Sequence, residues 1–163
     1  MLSINFLSNE SKNMPLYIFD SSLSRTLFNK KLCQYRILLI KDNPINQLVA
    51  YSYLTELGFH KIDLAYNGCD ALVLARQYCY SLILQDIDLP DISGFDVIKA
   101  IKKSYRNKNT PVIFVTNHSE KQTVKKCFDL GAIIVLTKPL NFNLLKENMQ
   151  LCLNKNNQQN SSL

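Results

Sequence analysis

No apolar run in this sequence approaches the roughly 20 residues that a membrane-spanning helix requires, so neither a helical membrane protein nor a membrane partner is expected. The first residues, MLSINFLSNESKNMPLYIFD, lack a basic segment followed by a sustained apolar core, so no secretory leader is expected there. No CxxC pair occurs. The five cysteines, Cys33, Cys69, Cys79, Cys127 and Cys152, are scattered and odd in number, which argues for reduced thiols in a cytoplasm, most of them packed as small apolar residues. A dense basic block is missing too. The formal charge of +6 is spread over pairs such as Lys30-Lys31, Lys102-Lys103 and Lys125-Lys126, which serves solubility and electrostatic steering and gives no nucleic-acid site. What remains is an ordinary globular composition, 47% hydrophobic and 20% charged, in a chain of 163 residues that is long enough for one domain with a real core.

From residue 36 onward, short runs rich in Ile, Leu and Val alternate with longer amphipathic stretches. The runs are Arg36–Ile40, Ile62–Tyr66, Leu82–Gln85, Pro111–Val115 and Ala132–Leu136. The stretches between them are Asn43–Leu57, Cys69–Gln77, Gly94–Ser104 and Ser119–Leu130, and Phe142–Leu153 closes the series. Helical spacing predicts that Ile45, Leu48, Val49, Leu54 and Leu57 share one inward face. Asn43-Pro44 is a helix start, with a capping side chain followed by proline at the first helical position, and Gly58 and Gly131 stand where helices stop. Pro111 opens a run where a missing N–H is tolerable. Strand-helix alternation with runs apolar on both faces predicts a parallel sheet covered on both sides, an open doubly wound α/β domain. The expected organisation is an N-terminal extension (1–35) of uncertain structure with an isolated apolar patch at Pro15–Phe19, the α/β domain (36–153), closed by Leu151 and Leu153, and a flexible polar tail (154–163). No output domain is expected at either end of these residues.

In a parallel sheet the carboxyl ends of all strands share one rim, and ligands bind there. Just past the runs lie Lys41 and Asp42, then Asp86, then Thr116, Asn117 and His118, and finally Thr137, Lys138 and Pro139. The segment LILQDIDLPDISG crowds Asp86, Asp88 and Asp91 after an apolar strand. Two carboxylates about 5 Å apart repel by roughly 3 kcal/mol at an effective dielectric of about 20. A hard divalent cation would offset that, and a carboxylate beside it can attack phosphorus to form an acyl phosphate. The plainer alternative is that these acids only cap the following helix and turn, which suits Asp91, and in part Asp88, better than Asp86.

The stretches RILLIKDNPINQLVA, LAYNGCDALVLA, LILQDIDLPDISGFDVIKAIK, TPVIFVTNHS and LTKPL resemble, in order and spacing, the receiver domain of two-component response regulators, especially receivers attached to hybrid histidine kinases. The resemblance covers nearly all of Arg36 to Leu153. It implies a flavodoxin-like five-stranded parallel sheet of order 2-1-3-4-5, with helices on both faces. It also implies that Asp86 is the phosphoacceptor, and that Mg2+ is held by Asp42, Asp86 and the backbone carbonyl of Asp88. Thr116 would bond the phosphoryl oxygen, Lys138 would pair with it, and the Lys138-Pro139 peptide would be cis. Asp42, Asp86, Thr116 and Lys138 are thus expected to meet in one shallow pocket. The implied partners are a histidine kinase or histidine phosphotransfer protein and a downstream protein; the face of the fourth helix, with Lys121, Lys125 and Lys126, is either solvated or a partner surface, and a homodimer through it is compatible.

Two positions depart from the family's pattern. The first of its two acids after the opening strand is Lys41 here, which would weaken Mg2+ binding, pair with Asp86, or swing into solvent. The aromatic three residues before the lysine is Val135, which has no ring to move, so coupling to Thr116 is expected to be weak or rewired. His118, with Asp88, occupies a position that tunes acyl-phosphate lifetime in the family; His60 sits in a turn with no such role. The leading expectation is a single-domain phosphoacceptor with no turnover beyond self-phosphorylation and autodephosphorylation. A pseudo-receiver, keeping fold and interface without regulated phosphorylation, is the alternative. A haloacid-dehalogenase-type phosphatase would also use Asp86-Ile87-Asp88. It needs an acidic pair after the lysine, though, and only Glu147 follows Lys138.

Overall fold

The computed structural model describes residues 35–149. The N-terminal extension, Cys33, Leu151, Cys152, Leu153 and the polar tail lie outside the described residues. In chain order the elements are β1 (Arg36–Ile40), α1 (Pro44–Glu56), β2 (Lys61–Ala65), α2 (Gly68–Gln77), β3 (Leu82–Asp86), α3 (Gly94–Lys103), β4 (Val112–Thr116), α4 (Lys121–Asp129) and β5 (Ala132–Thr137). A closing helix, α5, is described over 142–149. All pairings are parallel and the strand order is β2-β1-β3-β4-β5, the expected doubly wound sheet.

β3 and β4 are buried along their whole length, as strands covered on both faces must be. One face packs Ile37, Leu39, Leu84 and Ile113 against Ala50, Leu54, Leu145 and Met149 of α1 and α5. The other packs Leu38, Ile40, Ile83 and Phe114 against Ala71, Ala75, Val97, Ile98, Ile101 and Cys127 of α2, α3 and α4. Local signals held. The Asn43 side chain accepts from the N–H of Asn46, Pro44 opens α1, and Gly58 and Gly131 end helices at φ 98° and 84°. Pro111 lies just outside β4, and its carbonyl accepts from Ile83 N–H at 3.0 Å. β3 and β4 each reach one residue past the expected run, so Asp86 and Thr116 are the last residues of β3 and β4 rather than the first beyond them.

The predicted inward face of α1 is corrected. Ile45 (73% exposed), Leu48 and Val49 point to solvent, and the inward stripe is Gln47, Ala50 and Leu54, with Leu57 at its edge. The physical reason is the close approach of the first turn to the ends of β1 and β2. Gln47 donates there to the carbonyls of Lys41 (3.3 Å) and Ala65 (3.1 Å), bonds an apolar side chain cannot make.

Candidate functional site

The register of the three central strands builds the site. Ile40 pairs with Gln85 and Asp86 with Val115, so Lys41, Asp86 and Thr116 end neighbouring strands on one rim. β5 adds Lys138, whose N–H donates to the Thr116 carbonyl at 3.0 Å, and the Lys138-Pro139 peptide is cis as expected. The loop after β3 is held close by Gly94, the first residue of α3, whose N–H donates to the Ile87 carbonyl at 2.9 Å. A Cβ on Gly94 would collide with the Asp86 carbonyl and come within 2.8 Å of that of Ile87, so only glycine admits this approach.

Asp86 lies on the floor of the site, 1% exposed, where an open shallow pocket was expected. Its Oδ1 accepts from Asp88 N–H at 3.3 Å. Its Oδ2 is in direct contact with Lys138 Nζ and 3.6 Å from Lys41 Nζ. Both contacts are ion pairs, and Lys41 Nζ lies just beyond ordinary hydrogen-bond distance of Oδ2. The neighbouring Gln85 side chain is also buried; its amide donates to the Asp86 carbonyl at 2.9 Å and its Oε1 has no hydrogen-bond partner.

Lys41 is the surprise of the site. Of the three fates open to it in the sequence, the structure takes the pairing with Asp86, with the whole side chain 2% exposed. At 3.6 Å and an effective dielectric of about 20 the attraction is about 5 kcal/mol before desolvation of both ions is subtracted. Burial pushes the Lys41 ammonium below its ordinary 10.5, Asp86 opposes the shift, and Lys138 adds to it. Lys41 therefore sets a buried positive charge against the Asp86 carboxylate.

Thr116 is fully buried, and its hydroxyl oxygen accepts from His118 N–H at 3.0 Å, which leaves the hydroxyl proton for another oxygen. His118 Nε2 sits 3.2 Å from Asp88 Oδ1 and Nδ1 3.9 Å from Glu120, all three exposed at the mouth. Asp42 is exposed on the rim. Asp91 belongs elsewhere. It caps α2, 23 residues earlier in the chain, accepting from Gly68 N–H at 2.7 Å and Cys69 N–H at 2.8 Å. Those bonds hold its carboxyl well below the usual range, against a smaller opposing effect of burial. Capping was the plainer expectation for Asp91, but the helix it serves is α2 and not the next one. Val135 is half-buried in the core opposite Phe114, with no ring to move. His60 is exposed. Of the output-face lysines, Lys121 and Lys125 are exposed, and Lys126 lies 4.1 Å over the Phe95 ring.

The profile of the response regulator receiver domain matches residues 37–150. The chain belongs to the response regulator receiver family. Among its relatives are a probable cyclic di-GMP phosphodiesterase of Vibrio cholerae, 36% identical over 71% of this chain and 26% of that protein, and the probable transcriptional regulator ycf29 of Pyropia yezoensis, 32% identical over 68% and 50%. The chain thus spans between a quarter and half the length of these relatives, and the activities in their names are theirs. Among solved structures, the receiver domain of the sensor histidine kinase PA1611 of Pseudomonas aeruginosa superposes with a TM-score of 0.68 at 28% identity, covering 74% of this chain and 98% of that one. That receiver carries a magnesium ion coordinated in its active-site cleft. Among the described residues of the present receiver, no helix is long and apolar enough to cross a membrane.

The donors expected to hold such an ion here do not fit it. Among the described residues, no three His, Cys, Asp or Glu side chains converge as a metal cluster, and the expected set brings only two carboxylates, Asp42 and Asp86, with the Asp88 backbone carbonyl. The carboxylate that would anchor the ion, Asp86, already faces two ammonium groups, one of them buried. Of the polar and close contacts of Asp86 described above, the sequence pointed to Lys41, Asp88 and Lys138 but not to Gln85 or Gly94. A polar residue inside the run Leu82–Gln85 was a visible signal for the first, but nothing local marked the second.

Proposed function

We propose that this receiver accepts a phosphoryl group on Asp86 from the phosphohistidine of a histidine kinase or histidine phosphotransfer protein, and signals by protein contact. The observation that carries this is the Asp86 carboxylate at the end of β3, flanked by Lys41 and Lys138, with Thr116 ending the neighbouring strand β4. An Asp86 oxygen attacks phosphorus, the new P–O bond forms as the P–N bond breaks, and the imidazole keeps the P–N electron pair. It leaves neutral, with one proton carried on the ring or taken from water. Lys138 and Lys41 face the phosphoryl oxygens, Thr116 donates its hydroxyl proton to one of them, and the acyl phosphate's total charge of up to about two is met by two ammonium groups.

Access requires Lys138 to move aside, and its side chain is the more open of the two at 17% exposed. The outward apolar face of α1, with Ile45 and Leu48, begins three residues past Asp42 and is the surface on which a donor protein seats. The exposed face of α4 with Lys121 and Lys125 suits an acidic downstream partner or a second copy. The cytoplasm is the compartment in which this chemistry and these free thiols belong. Treatment with phosphoramidate followed by intact mass measurement tests the reading: one added phosphoryl group, absent in Asp86→Asn, is expected. The deep burial of Asp86 favours one second reading, a pseudo-receiver whose carboxylate is permanently ion-paired. An unmodified protein under every donor condition would establish that reading instead.

A further inference from the structure

We propose that the Lys41 ammonium holds the place of a divalent cation beside Asp86, so that this site excludes the metal and performs its phosphoryl chemistry without one. The second half rests on Asp86 being the phosphoacceptor; the first half does not.

Three observations carry the proposal. The Lys41 backbone is tied at both ends of its peptide unit: its N–H donates to the Ala65 carbonyl at 3.0 Å, and its carbonyl accepts from the buried Gln47 amide at 3.3 Å. This fixes the stem, so the side chain enters the site as a built feature rather than a wandering surface lysine. Nζ then sits 3.6 Å from Asp86 Oδ2 with the side chain 2% exposed, a buried positive charge on the oxygen side a bound cation would share. The charge count agrees. Asp86 with its two ammonium neighbours already sums to one positive charge, and a divalent cation bound to Asp86 would add two more, with the exposed Asp42 carboxylate nearby to offset one of them. A phosphoryl dianion instead brings the set close to neutrality. Lys41 is thus assigned as a residue in contact with the reacting carboxylate, supplying fixed charge where the PA1611 receiver uses magnesium.

The test uses the full-length chain. Mn2+ titration followed by electron paramagnetic resonance is expected to show no site that depends on Asp86, whereas Lys41→Asp, which restores an acid, is expected to gain one. Phosphoramidate labelling of the wild type is expected to proceed equally in EDTA and in Mg2+, and labelling of Lys41→Asp to become Mg2+-dependent. A wild-type Mn2+ site lost in Asp86→Asn, or labelling accelerated about tenfold or more by Mg2+, overturns the proposal. The wild-type titration decides alone should Lys41→Asp fail to fold. Labelling absent under every condition overturns the phosphoacceptor reading and the metal-free chemistry with it, while the titration still decides whether Lys41 excludes the cation.

Discussion

The two ends of this sheet bury polar groups in opposite styles. At the amino end Asn107 is fully buried and every hydrogen-bonding position of its amide is used. Oδ1 accepts from Tyr80 N–H at 2.8 Å, and Nδ2 donates to the carbonyls of Ala75 and Tyr78 at 2.8 and 2.9 Å. The Thr110 hydroxyl lies 3.1 Å from the same Oδ1 and 3.0 Å from the Tyr80 carbonyl. Beside them Asp63 accepts two bonds from Arg36 and one from the Tyr80 hydroxyl, and Arg36 stacks over Tyr78 at 3.5 Å. At the carboxyl end Asp86 Oδ2 and Gln85 Oε1 are buried without a hydrogen bond, and the local order rests on charge. A closed network specifies the fold and has nothing left to offer a ligand; an incomplete one retains capacity for a phosphoryl group.

If that contrast is right, substitutions at the two ends differ in cost. Asn107→Ala is expected to destabilise the most, by about 4 kcal/mol in a urea titration, since three backbone groups, two of them buried, lose their partner. Asp86→Asn is expected to cost less, about 3 kcal/mol, because Lys138 can turn to solvent and only Lys41 stays buried without its counter-charge. A larger loss at Asp86 than at Asn107 would invert the comparison.

Lys41→Met is expected to fall within about 1 kcal/mol of wild type, since Lys138 still neutralises Asp86 and one desolvated ammonium is gone. It also alters the pH dependence. The Lys41 pKa is lowered by folding, so between that lowered value and 10.5 the unfolded chain holds more protons, and wild-type stability rises with pH across the window. Lys41→Met is expected to lose that rise. Tyr80 acts in the opposite sense: burial and its bond to Asp63 raise its pKa, so its contribution fades as pH climbs past 10.0, in wild type and variant alike. The smallest effect is expected for Asp91→Ala. The depressed Asp91 carboxyl stabilises above its ordinary 3.8 and loses that contribution as pH falls through the folded value, so the variant's acid unfolding is expected to be slightly less steep than wild type.

Much of the fold was legible because its signals are local. Apolar runs, the Asn43-Pro44 start and the two positive-φ glycines depend on residues a few positions apart. The candidate site was legible as a set of strand ends, since a parallel sheet puts Lys41, Asp86, Thr116 and Lys138 on one rim whatever packs around them. Asn107 was not legible, because a lone asparagine in YRNKNT has no local signature and its partners lie about 30 residues away. The α1 face failed similarly. Periodicity gives the angle between side chains but not which side meets the sheet, and a glutamine's bonds to two strand ends decided it.

The order of strands and helices, the helix ends and the list of polar residues at one rim were thus determined by the sequence alone, because each rests on short-range sterics and pattern. Tertiary structure alone decided that Lys41 turns inward to Asp86, that Asp91 caps a helix formed earlier in the chain, and that Asp86 lies beneath two ammonium groups. These outcomes depend on desolvation and on charges brought together from distant segments, and no spacing along a chain encodes either.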